Sequence, residues 1–169
     1  MNSFILEANQ FLSRDVAGYF HTGFYGFAHP ENPNFLYRLK NDPHHNWSQQ
    51  DLQSAVDALS KVIHNDFPEI LRQTQFDSLT VCVVPRAKAD NTYCSDQLLF
   101  RATIGAYAGS TPGFRDGSTF ILRHTNTRTT HLKKPVDGFN NDGKMPYPGI
   151  ARDTCNFSSQ ILGSNILLI

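Results

Sequence analysis

Residues 79–93 read LTVCVVPRAKADNTY, and the fold turns on how they divide. Leu79 to Val84 is an unbroken apolar run rich in β-branched residues and closed by Pro85. A run of that kind suits a parallel strand covered on both faces. The residues after Pro85 are polar and include Arg86, Lys88 and Asp90. A helical pattern then begins near Ser95, with Leu98, Leu99, Ala102 and Ala106 on its expected buried side. Strand, charged loop and helix in that order form the first half of a parallel α/β unit.

Working outward, the clearest helix lies upstream. Ser48 followed by Asp51 reads as a capping box, each side chain satisfying a backbone N–H of the first turn. Leu52, Ala55, Val56, Leu59, Val62 and Ile63 then recur at three- and four-residue steps and define one apolar stripe. Pro68 marks the expected end of that helix or a further short turn. Downstream, Ser118–Arg123 reads as a strand, a long Thr-, Asn-, Gly- and Pro-rich stretch comes next, and Ile166 to Ile169 forms a last apolar strand. The order predicts an α/β domain over residues 48–169, with a mainly parallel sheet flanked by helices. Residues 1–47, rich in aromatics, Gly, Pro and His, are expected to form an irregular cap of strand-sized pieces and turns. Phe35–Lys40 is its one short helix or strand, stopped by Asn41, Asp42 and Pro43.

The chain has 169 residues, 40% of them hydrophobic and 18% charged, so a single packed core is expected. Formal net charge is zero, which removes any global field for drawing in nucleic acid or an anionic membrane surface. Three widely spaced cysteines without a C-x-x-C pair argue against a disulfide framework or a cysteine zinc site. No run approaches the ~20 apolar residues of a membrane-spanning helix, and no basic, apolar leader opens the chain, so the cytoplasm is the expected compartment.

Three constellations bear on chemistry. Arg86 and Lys88 lie beyond the carboxyl end of a strand and ahead of a helix, the place where open α/β sheets bind ligands and where an anion finds backbone N–H groups and cations together. The alternative is two solvated loop charges. The segment Arg123–Lys134, RHTNTRTTHLKK, offers Arg123, Thr127 and Arg128 to phosphates, as a nucleic-acid- or protein-binding strip or as a solvated loop. It lacks interleaved aromatics for base stacking. The histidines draw no set of three or four converging metal ligands, and no nucleophile elbow, dinucleotide fingerprint or Walker loop is present.

In sequence, VCVVPRAKADNTYCSDQLLFRAT (81–103), ILRHTNTRTTHL (121–132) and ARDTCNFSSQILGSNILLI (151–169), with Arg152, Asn156 and Phe157 in order, resemble a type I phosphoribosyltransferase of the ComF or amidophosphoribosyltransferase-like branch. The similarity covers roughly residues 79–169. It implies a phosphoribosyltransferase-like fold handling phosphoribosyl pyrophosphate, or a related phosphorylated ribose, with Mg²⁺. On this resemblance Arg86, Lys88, Arg123, Thr127 and Arg128 would contact the pyrophosphate or acceptor side. In that family the strand matching Ile166–Ile169 leads into a signature loop of two acidic residues and a Thr- and Gly-rich turn, which holds the ribose 5-phosphate. That loop is not among the 169 residues, nor is the cysteine cluster that often opens the ComF branch. The expectation is therefore a domain incomplete at its C-terminus, with negligible turnover as residues 1–169. An apolar last strand with an open edge predicts self-association, or pairing with a complementing chain.

Overall fold

The computed structural model describes residues 2–10, 12–23, 25, 29–41, 45–127 and 152–169. Arg128 and the remainder of the segment to 151 lie outside the described residues.

Leu79–Cys82 forms a strand, β3, that is buried at every position. Its side chains alternate, so Leu79 and Val81, with Val83 beyond the strand end, point into the main core cluster while Thr80 and Cys82 point to the opposite face. β3 is the centre of a three-stranded parallel sheet of order β4–β3–β7, in which β4 spans Phe114–Gly117 and β7 spans Ile166–Leu168. Leu79 is in register with Phe114 and Thr80 with Ile166. Both neighbours are parallel to β3, as the continuous apolar run requires.

Two helices flank this sheet. α2 (Gln49–Thr74) opens on the expected capping box: Ser48 Oγ accepts from the Asp51 N–H at 3.1 Å and Asp51 Oδ2 accepts from the Ser48 N–H at 3.3 Å. The helix runs through Pro68 rather than ending there. Pro68 is exposed, and the buried stripe continues on either side of it through Phe67 and Ile70. Burial of those side chains, each worth roughly 1.5–3 kcal/mol when fully removed from water, outweighs the missing backbone donor.

α3 (Leu99–Ser110) begins after a 3-10 turn at Ser95–Gln97 and buries Ile104, Gly105, Tyr107 and Ala108. This corrects the expected face, because Ala102 and Ala106 are exposed. Tyr107 decides the orientation. Its ring stands edge-on to Phe67 at 5.4 Å and lies 5.6 Å from Phe114, joining α2, α3 and β4. An aromatic of that size removes more apolar area from water than the two alanines would.

The residues before α2 contribute a hairpin, β1 (Asn2–Leu6) with β2 (Val16–Phe20), and a short helix, α1 (Phe35–Lys40). Leu39 of α1, 1% exposed, belongs to the same core cluster as α2 and α3. Ser118–Arg123 is a strand only over Ile121–Arg123 (β5), which pairs antiparallel with β6 (Cys155–Phe157) apart from the main sheet. The outer edge of β7 is unpaired among the described strands, and Ile166 and Leu168 are exposed there. No helix among the described residues is long and apolar enough to cross a membrane.

Candidate anion-binding cleft

Beyond Cys82 the chain leaves β3 through Val83, Val84 and Pro85 and enters the charged loop at the strand's carboxyl end. A cleft of about 210 Å³ opens there, walled by Leu39, Val83 and Phe100 and carrying Lys40, Arg86 and Arg101 on its lining. α1 brings Lys40, the loop brings Arg86, and the first turn of α3 brings Arg101.

Two of the cations are held by short, specific contacts. Arg86 donates from Nη1 to the Gln97 carbonyl at 3.0 Å, and its guanidinium lies 4.4 Å from the centre of the Tyr93 ring. Gln97 donates from Nε2 to the carbonyl of Asn41, which caps α1 in a left-handed conformation. That bond fixes the end of α1, and with it Lys40, beside the loop. Arg101 Nη2 lies 2.5 Å from Asp90 Oδ1 in a pair with 12% and 15% of its side-chain surfaces exposed. The Nε of Arg101 is buried without a hydrogen-bond partner among the described residues. Three cations therefore stand on the lining of an otherwise mostly apolar cleft, and Asp90 pairs with one of them.

Of the residues singled out in sequence, the structure brings Arg86, Arg123 and Thr127 to one loop but gives them different tasks. Arg123 is 8% exposed and ties the loop from beneath. Its Nε donates to the Arg86 carbonyl at 2.6 Å, its Nη1 to Thr154 Oγ1 at 2.7 Å, and its backbone N–H to Asp90 Oδ2 at 2.5 Å. Thr127 donates from both its backbone N–H and its hydroxyl to the Ala87 carbonyl, at 2.7 and 3.0 Å. Between them Asn126 Oδ1 accepts from the Ala89 N–H at 2.8 Å. Residues 123–127 are thus a strap over residues 86–90. Lys88 is exposed, with its backbone N–H donating to the Tyr93 hydroxyl. Arg128 falls outside the described residues.

Sequence reasoning missed Lys40, Asp90, Arg101 and Asn126. For the Asp90–Arg101 pair a signal existed, opposite charges bracketing the predicted turn into α3. For Lys40 there was none, since only the packing of α1 on α2 and α3 carries it to the cleft.

No protein-family model, curated protein or solved structure matches this chain.

Among the described residues no group of three or more His, Cys, Asp or Glu side chains converges as a metal site. Asp90, the carboxylate of the loop, is already engaged by Arg101 and Arg123.

Proposed function

We propose that this chain is a phosphoribosyltransferase-like domain whose loop after β3 receives the pyrophosphate end of phosphoribosyl pyrophosphate. The observation that carries the reading is the set of three cations, Lys40, Arg86 and Arg101, on the lining of a largely apolar cleft at the carboxyl end of the central parallel strand. The sequence resemblance through residues 81–103 supports the same place. Departure of pyrophosphate leaves negative charge that cations and fixed donors stabilise, while an oxocarbenium-like ribose carbon calls for anions nearby. Lys40, Arg86 and Arg101 would serve the first requirement. Carboxylates for the second belong to the signature loop that the resemblance implies, and no residue of 1–169 is assigned to them. Mg²⁺ enters this reading as a companion of the pyrophosphate, as the resemblance implies.

The alternative of a nucleic-acid- or protein-binding strip over 123–134 has less to recommend it. Arg123 and Thr127 direct their donors into the protein, and residues 128–134 lie outside the described part.

Calorimetric titration of residues 1–169 with pyrophosphate, and with phosphoribosyl pyrophosphate plus Mg²⁺, tests the proposal. Binding that weakens about tenfold in Lys40→Ala and Arg86→Ala supports it, since each removes a charge-assisted contact. Lys88→Ala, an exposed change, is expected to weaken binding with no loss of stability. Absence of pyrophosphate binding at millimolar concentration, or indifference to all three substitutions, rejects it.

A further inference from the structure

A second cavity of about 300 Å³ lies between the hairpin, α1, α2 and α3, and shares only Leu36 and Phe100 with the first. Its walls are almost wholly apolar: Ile63, Phe67 and Ile70 of α2, Ile104 of α3 and Phe35 of α1. Apart from the hydroxyls of Tyr19 and Thr22, its polar lining is one pair. His21, just after β2, places Nδ1 2.8 Å from Asp66 Oδ2 on α2, with 47% and 15% of the two side-chain surfaces exposed. Both residues line the cavity.

A carboxylate can only accept, so a neutral His21 carries its proton on Nδ1 and presents Nε2 as an acceptor. The polar pair therefore offers acceptors, with the ring's remaining lone pair set by Asp66. An open, largely apolar pocket of this size with acceptors gathered in one place matches a ligand that is apolar over most of its body and has one hydrogen-bond donor. The volume, about twice that of an engineered cavity that holds benzene, suits a fused bicycle.

We propose that this cavity binds a small aromatic molecule bearing a single O–H or N–H donor, received by Nε2 of His21, with Asp66 as the residue that positions the imidazole. The anion-binding cleft involves neither residue, so the two proposals can be tested separately.

Three probes of nearly one shape test it at pH 8: 2-naphthol, which donates, 2-methoxynaphthalene, which only accepts, and naphthalene, which does neither. Ligand-observed NMR titration of residues 1–169 is expected to rank 2-naphthol about tenfold above the other two, the difference one hydrogen bond makes. His21→Ala, at an exposed position, should bring the three within about twofold. Asp66→Asn can donate its amide N–H to Nδ1, which moves the ring proton to Nε2 and shifts preference toward 2-methoxynaphthalene. The ¹⁵N shifts of His21 report the tautomer directly, whatever the variants do to stability. Failure of 2-naphthol to bind at its solubility limit overturns the proposal, as does an unchanged ranking in His21→Ala. A wild-type ring protonated on Nε2 alone does the same. Pyrophosphate titration of His21→Ala should match wild type, so failure here and failure of the cleft reading are separable.

Discussion

Arg123→Met keeps a long, flexible apolar stem in the space the arginine fills but removes the guanidinium that ties the loop to β6 and its preceding turn. Two hydrogen bonds from a charged donor are lost, at 2.6 Å to the Arg86 carbonyl and 2.7 Å to Thr154 Oγ1. At about 1.5 kcal/mol each, the lower end for charged donors, they amount to about 3 kcal/mol. Relief of burying a guanidinium that is only 8% exposed returns part of this, so the expected loss is about 2–3 kcal/mol. For a chain of this length that lowers the thermal midpoint by about 5–10 °C. Urea unfolding followed by circular dichroism measures it. Arg123→Lys should recover little, because one ammonium cannot reproduce the planar fork that spans both acceptors. A stability shift under about 0.5 kcal/mol in Arg123→Met, with pyrophosphate binding lost, would refute the fastening role. Arg123 would then be a ligand contact and the strap would lack its function.

Glycine substitutions in α3 should split in sign. A Cβ at Gly105 would stand 2.7 Å from Ser118 Oγ and 3.2 Å from the Asp116 carboxylate, so Gly105→Ala is expected to destabilise by about 1–2 kcal/mol despite its helix propensity. At Gly109 the nearest atom is at 3.8 Å, so Gly109→Ala is expected to stabilise by about 0.5 kcal/mol, both read from denaturant midpoints. Iodoacetamide labelling followed by peptide mass mapping should modify exposed Cys94 first and half-buried Cys155 more slowly. Cys82, whose thiol burial pushes up, should react only in denaturant. Hydrogen bonds from Arg72 and Gln73 hold Glu69 down at about 2, and bonds from Ser48 lower Asp51. Both folded values lie below the unfolded range, so this stability is complete above about pH 4.5 and is lost as pH falls toward 2. Glu69→Gln should flatten the acid limb of the unfolding midpoint against pH.

The parts of the fold visible in sequence are those governed by local pattern. β3 is legible because five apolar residues and one threonine run into a proline, and α2 because its cap and its stripe agree. β4 was missed since Phe114, Arg115, Asp116 and Gly117 have no strand composition, and Arg115 and Asp116 are exposed. What makes them a strand is the neighbouring edge of β3. The buried face of α3 was misassigned by counting small residues where a single tyrosine, wedged between two phenylalanines, sets the rotation. At the cleft, Arg86 was legible by its place after a strand. Arg123, selected for the same charge, is a fastener, since sequence reports charge and not whether water or a carbonyl receives it. Lys40 and the His21–Asp66 pair arise from packing between elements tens of residues apart, where no local pattern exists.

The sheet order also dictates when its strands can join. β3 meets β4 across about 35 residues of chain but β7 across about 86, with α3 in the shorter interval. By loop-closure entropy alone the longer connection is about 0.8 kcal/mol less favourable. The β3–α3–β4 unit, stitched by Tyr107 on Phe114, is therefore expected to form earlier on the folding path. β7 docks onto an edge that already exists. Substitutions at Tyr107 should consequently slow folding, whereas those at Leu167 should chiefly hasten unfolding, which makes one side of the central strand a template and the other a late arrival.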